Sequence, residues 1–366
     1  MKQIDGLHRG MGIGGWLTNY KRFNVLPDAW RMPITVGDME HFQTYITEAD
    51  VKNIASMGLD HIRLGFDQVV VEEYDRPGVW REEIFAILEQ FASWCEAYGL
   101  RLVLNLHKAI GNYCDIKEEV SLLDSPELQE RFIGLWQEFE RRFSHRPTVI
   151  FELLNEVRDE PAEKWNDLAQ RTVQALRRMN PSRILIMGGT HWNSPDELCR
   201  MRLFEDENIL YTFHTYDPFE FTHQQGVLQM NTLYYNRRMP YPSEDMERYR
   251  EYHRLVFGKS DAYAGVERMD REYIRQSLAG AARFVREHPD KILWCGEFGT
   301  IRHADIRWRE SWMRDVIAVL NENDIPYCVW NYLSTPNDGN RFSLVDDDSR
   351  RILSETMLHI INGTEK

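Results

Sequence analysis

Short apolar runs recur along the chain, separated by longer stretches in which apolar residues return every three or four positions. The runs cover residues 10–17, 61–66, 101–106, 149–154, 183–187, 208–213, 292–295 and 326–330, and most are rich in Ile, Leu and Val. Strands buried on both faces of a parallel sheet have this character. Residues 81–98 carry the helical stripe Ile84, Leu88, Phe91 and Cys95, stopped by Gly99. Thr47-Glu48-Ala49-Asp50 has the form of a capping box with Asp50 in its last place, opening a helix that ends near Gly58. Ser125-Pro126-Glu127 opens another, with proline in the first turn. Residues 161–179, 272–287, 306–321 and 352–361 read as further helices, and 195–202 as a short connection.

Eight strands, each followed by a helix or a short connection, predict an α/β fold of the (β/α)8 barrel type, with residues 1–366 as one catalytic domain. An open doubly wound sheet would need a phosphate-binding glycine turn after an early strand. Gly10-Met11-Gly12-Ile13-Gly14-Gly15 lacks the GxGxxG spacing and leads into no clear helix, so it reads as a tightly packed first strand. The connection after strand six is too long for a bare loop. Its residues 243–257 are periodic, and 217–269 is expected to form a helical insertion subdomain over the C-terminal face.

Barrel enzymes work at the C-terminal ends of their strands. Those ends present Arg63 on strand two, His107 on strand three, Asn155 and Glu156 on strand four, His214 and Tyr216 on strand six, Glu297 on strand seven and Trp330 on strand eight. A purely structural barrel needs few such groups. Each alone has a plain reading: Arg63 as an ion-pair partner, His107 or His214 as a hydrogen-bonded structural imidazole, Trp330 as core. Their joint occurrence points instead to a site built on Glu156 and Glu297. Two carboxylates distant in sequence, each leaving an apolar run, suit glycoside hydrolysis across one bond.

The net charge of −14 argues against nucleic acid or an anionic membrane surface as partner. No apolar stretch approaches a membrane span. The N-terminus lacks the apolar segment of a signal peptide, so a cytoplasmic location is expected, or a secreted one if a leader has been removed. Cys95, Cys114, Cys199, Cys295 and Cys328 form no CxxC pair, which indicates neither a disulfide framework nor a zinc site.

Taken together, Gly14-Gly15-Trp16-Leu17, His61-Ile62-Arg63-Leu64, Leu106-His107, Leu154-Asn155-Glu156, His214-Thr215-Tyr216, Gly296-Glu297-Phe298-Gly299 and Val329-Trp330-Asn331 resemble glycoside hydrolase family 5 over nearly the whole chain. Phe151 to Val157, Asn193 to Leu198, the Phe221-Thr222-His223-Gln224 region and the long insertion resemble its leaderless endoglucanase C type. The resemblance implies a retaining endo-β-glucanase acting on β-1,4 or mixed-linkage glucans, with Glu156 as acid/base and Glu297 as nucleophile. It implies that Arg63 and Tyr216 hold Glu297, that His214 sits near Glu156 or the leaving group, and that Asn155 bonds the sugar 2-hydroxyl. His107 and Trp330 would bind the sugar. No metal or organic cofactor is implied, and a monomer is expected. Alternatives with the same pair are a β-mannanase, an exo-acting glycosidase on short oligosaccharides, and a transglycosylase. Where relatives often have a second histidine after the strand-three one and an aspartate two before it, this chain has Lys108 and Asn105. Lys108 bears on substrate choice, or else pairs with a nearby carboxylate.

Overall fold

The computed structural model describes residues 4–20, 33–113, 120–158, 160–259, 262–335 and 338–365; Cys114 falls outside them. Eight parallel strands close into a barrel in sequence order: β1 (Arg9–Leu17), β2 (His61–Asp67), β3 (Arg101–Lys108), β4 (Val149–Glu152), β5 (Leu185–Gly188), β6 (Ile209–Thr215), β7 (Ile292–Phe298) and β8 (Tyr327–Val329). The ring shuts where β1 pairs with β8. The expected barrel is therefore the fold.

Local chemistry sets the element ends. The Asp50 carboxylate accepts from the Thr47 backbone N–H at 2.8 Å, completing the expected capping box before helix Glu48–Ser56. Ser125 caps helix Pro126–Phe143, accepting from the Leu128 N–H. Helix Glu82–Ala97 is followed by Gly99 at φ +72°. Several boundaries move. Arg183 lies before β5 because its guanidinium is spent on Glu140 and on the carbonyls of Phe143, Arg146 and Val149. The helix expected over 272–287 breaks at Leu278 into Arg271–Ser277 and Ala279–Glu287. The last helix starts at Glu355, where Ser354 caps it, rather than at Ile352. Between β6 and the Arg271 helix lie the helices Phe219–Thr222, Met230–Tyr235 and Met246–Phe257.

The barrel interior is layered. Leu7, Val103, Ile150, Ile186, Leu210, Ile292, Trp294 and Cys328 form an apolar floor. One strand alternation above Ile150 comes Glu152, which meets Arg63 of β2. Between the strands and the surrounding helices runs the main core, which includes Trp16, Trp136, Trp165 and Trp312. This rigid wall fixes the strand ends from which the polar side chains project.

Candidate active site

Glu297 lies within β7, and its aim depends on a bulge. Phe213 pairs with Cys295, but His214 pairs with Glu297, so Gly296 is the extra residue. Simple alternation from the inward Ile292 and Trp294 would send Glu297 outward; the one-residue shift turns it inward. Only glycine suits the bulge, since a Cβ on Gly296 would lie 2.5 Å from Thr212 Oγ1.

Glu156 is placed differently. β4 stops at Glu152, four residues earlier, and Glu156 adopts φ +45° in the left-handed region. Such a conformation costs a non-glycine residue about 1 kcal/mol or more and persists when its surroundings over-determine it. They do so here. The Asn155 N–H donates to Leu106 O at 2.9 Å, and the N–H groups of Trp192 and His191 donate to Val157 O and Arg158 O at 2.9 and 3.2 Å. His191, Trp192 and Asn193 are themselves left-handed, with φ between 49° and 57°.

One guanidinium ties the site together. Arg63, in the middle of β2 rather than at its end, is fully buried. Its Nε and Nη2 donate to Glu152 Oε2 and Oε1 at 2.6 and 2.9 Å. Nη1 donates to Glu297 Oε2 at 2.5 Å, and Nη2 also reaches Asn155 Oδ1 at 2.7 Å. The Tyr216 hydroxyl donates to Glu297 Oε1 at 2.6 Å. Burial and the Glu297 charge hold that phenol well above its ordinary range, so it stays a donor. Against the cost of burial, Glu152 and then Glu297 drive the Arg63 guanidinium further into its charged form.

His214 Nδ1 lies 2.9 Å from Glu156 Oε1. Burial pushes the imidazole down to about 4, so it is neutral near pH 7. Its Nε2 faces two donors, Asn193 Nδ2 at 3.3 Å and Arg63 Nη2 at 3.5 Å. The proton therefore sits on Nδ1 and points at Glu156. One oxygen of Glu156, one of Glu297 and a His214 nitrogen lie within 4.8 Å of one another. Among the described residues, this trio alone has donor spacing fit for a cation. Arg63 already occupies Glu297 Oε2 with a positive charge, against which a cation would have to compete.

The neighbouring ends of β3 and β8 carry aromatic rings. Trp330 stacks on His107 with ring centroids 5.6 Å apart and planes 10° apart. It lies flat on β1 because Gly12 and Gly14 leave room: a Cβ there would fall 2.7 and 2.5 Å from the indole ring. Burial, then Arg63, Lys108 and His214, keep His107 well below its ordinary range and neutral. Asn105 Oδ1 lies 3.0 Å from His107 Nδ1. Asn155 Nδ2 is buried without a protein partner. Lys108 is buried, 5.9 Å above the Tyr113 ring.

All eight residues expected from sequence thus converge. Three others were missed. Glu152 was legible as a carboxylate inside an apolar strand, which demands a buried cation. Asn193, which bonds the imidazole, and Trp192, an exposed indole 6.0 Å from the Arg158 guanidinium, gave no local signal because three successive left-handed residues place them.

The sequence profile of the family Cellulase (glycosyl hydrolase family 5) matches residues 28–335. The chain is 34% identical over 358 residues to endoglucanase C of Acetivibrio thermocellus, covering 96% of this chain and 97% of that protein. It is 30% identical over 330 residues to cellodextrinase A of Ruminococcus flavefaciens, covering 89% and 85%. In fold it is similar to a hyperthermophilic endo-β-1,4-glucanase solved with substrate, with TM-score 0.75, 20% identity, and 98% and 97% coverage. The chain belongs to the cellulase family, glycosyl hydrolase family 5, and is a glycoside hydrolase.

Proposed function

We propose that this enzyme is a retaining endo-β-glucanase that cleaves β-1,4 bonds in cellulose-like or mixed-linkage β-glucans. The observation carrying the reading is the approach of Glu156 and Glu297, with oxygens within 4.8 Å of each other. Retaining glycosidases keep their carboxyls about 5 to 5.5 Å apart, whereas inverting ones leave about 6.5 to 9.5 Å for a water. The likeness to endoglucanase C over 96% of the chain supports the glucan substrate.

Glu297 attacks the anomeric carbon as a carboxylate, and the bond to the leaving oxygen breaks while Glu156 gives that oxygen its proton. His214 occupies Glu156 Oε1 as a donor, so the acid proton belongs on the other oxygen. Arg63 and Tyr216 donate to the two oxygens of Glu297 and orient its carboxylate for attack. The covalent glycosyl ester is then opened by water, whose proton goes to Glu156. Asn155 Nδ2 donates to the 2-hydroxyl, the partner it lacks within the protein. Trp330 takes an apolar pyranose face, and His107 bonds the same sugar. Trp192, whose N–H donates to Val157 O next to Glu156, is exposed beside the acid/base residue.

The 366 residues act as one catalytic domain and as a monomer, and residues 217–269 form a subdomain that lines the cleft. Phe219 and His223 in that stretch stack at 4.2 Å, and His223 meets the Tyr216 ring edge-on at 5.0 Å, which supports the placement. Among the described residues no helix is long and apolar enough to cross a membrane. The charge of −14 supports a substrate other than nucleic acid. A second reading, action on short cello-oligosaccharides, is favoured by the likeness to cellodextrinase A.

A reducing-sugar panel of carboxymethyl cellulose, lichenan, laminarin, glucomannan, mannan, xylan and cello-oligosaccharides tests the proposal, with Glu297→Gln as blank. Lichenan and carboxymethyl cellulose should be the best substrates. Turnover of short oligosaccharides alone would replace endo action by the second reading, and preference for mannan would remove the glucanase assignment.

A further inference from the structure

Two carboxylates share the Arg63 charge unequally. Glu152 takes two guanidinium donors in a fork, Nε at 2.6 Å and Nη2 at 2.9 Å, whereas Glu297 takes only Nη1. Glu152 and Arg63 are both fully buried. Glu152 sits in β4 opposite Asn105 of β3 and Ile186 of β5, below the level at which a sugar could be held. Its hydrogen bonds go to Arg63, which carries its influence to the carboxylate above. Glu152 also contributes more than Glu297 to holding the Arg63 guanidinium charged.

A single buried arginine beside a nucleophilic carboxylate poses a conflict. It favours the anion needed for attack, yet the more firmly it does so, the weaker the nucleophile becomes. An arginine in contact lowers a carboxyl's proton affinity by about one to three pH units. We infer that Glu152 is a positioning residue that neutralises Arg63 from below and so preserves the nucleophilic strength of Glu297. This rests on the assignment of Glu297 as nucleophile. With Glu152 in place, the three groups carry one net negative charge, and Arg63 acts on Glu297 mainly as a fixed hydrogen-bond donor.

The other ionisable groups around Arg63 and Glu297 do not supply that balance. They are Glu156 after β4, His107 and Lys108 on β3, His214 and Tyr216 on β6, Cys295 on β7 and Cys328 on β8. Burial keeps both imidazoles neutral and raises the phenol and the two thiols above their ordinary ranges. Glu156 is tied to His214, and Lys108 adds positive rather than negative charge. The compensating anion is therefore Glu152.

Replacing Glu152 by glutamine removes a negative charge from Arg63 and from the neighbourhood of Glu297, and both changes favour the Glu297 anion. The acid limb of the kcat/KM profile, set by the free enzyme, should move to lower pH by about one unit. Plateau kcat/KM for an aryl β-cellobioside should fall at least tenfold, and less glycosyl-enzyme should accumulate, because a weaker nucleophile is a better leaving group.

The experiment compares these profiles for wild type, Glu152→Gln and Glu152→Asp, with thermal unfolding recorded for each. Glu152→Asp retains the charge but withdraws it by one methylene, and should shift the limb the same way by less. It carries the test alone if Glu152→Gln does not fold. An acid limb that stays in place, or moves to higher pH, in the variants that fold would overturn the inference and leave Glu152 a structural support. Full activity in Glu297→Gln would instead sink the nucleophile assignment itself, so the two failures are separable.

Discussion

His214 Nδ1 lies 2.9 Å from Glu156 Oε1, while the other nitrogen of the same ring faces Asn193 and Arg63, both donors. The imidazole is thereby fixed as a neutral donor to Glu156, the proposed acid/base. His214→Ala should lower kcat/KM on unactivated glucans by roughly a hundredfold, the scale of lost acid/base assistance. Aryl cellobiosides with good leaving groups should suffer less. Equal losses on both substrate types would show that His214 does not act through Glu156.

The two carboxylates should separate kinetically. Glu297→Gln should abolish turnover of every substrate without lowering the unfolding temperature appreciably. Glu156→Ala should spare the first step for substrates with good leaving groups, and azide should restore turnover by taking the place of the activated water. Steady-state assays with and without azide check both outcomes.

Tyr216 donates to Glu297 Oε1 at 2.6 Å from a half-buried position. Tyr216→Phe removes one of the donors that stabilise the Glu297 anion. The acid limb of kcat/KM should therefore move to higher pH, opposite to the shift expected for Glu152→Gln. A pH profile on an aryl β-cellobioside reads the direction.

Much of this was written in the chain. The eight apolar runs predicted the barrel, and the polar residues leaving them are ones the barrel brings together. Residue counting could not aim the side chains. Period-two alternation along β7 sends Glu297 outward, and a bulge at Gly296 is what returns it to the interior. Nor does sequence reveal that β4 ends at Glu152, or that Glu156 is left-handed, because both follow from backbone hydrogen bonds to Leu106 and to the 191–193 turn. Glu152 was visible but needed its partner to be interpreted: a carboxylate in an apolar run means little until Arg63, 89 residues away, is seen to fork onto it.

Gly12 and Gly14 illustrate a constraint that the sequence did suggest. Their missing Cβ atoms make the space in which Trp330 lies on β1. Gly14→Ala places a carbon 2.5 Å from the unmoved indole ring. Overpacking of this kind costs about 1 to 3 kcal/mol. Trp330 should shift, with at least a tenfold rise in KM for cello-oligosaccharides and a change in tryptophan fluorescence. Unaltered KM would mean that Trp330 carries no sugar.

Acid stability should report two buried imidazoles. Burial lowers His214 to about 4 and His223 to about 3, against about 6.5 when unfolded. Below pH 6.5 the unfolded chain binds protons that the folded chain does not, so stability is complete above that pH and is lost as pH falls towards 4 and then 3. Each pH unit over which one such histidine differs is worth about 1.4 kcal/mol. His223→Phe should flatten the fall of Tm with pH between 6.5 and 4; an unchanged slope would count against a neutral, buried His223.

The central claim is that Glu297 becomes glycosylated. The most direct measurement treats the enzyme with a 2-deoxy-2-fluoro-β-cellobioside bearing a good leaving group and maps the labelled peptide by mass spectrometry. One fluorocellobiosyl group per chain is expected on Glu297, absent from Glu297→Gln and accompanied by loss of activity. A label on another residue, or none together with products of inverted anomeric configuration, would contradict it.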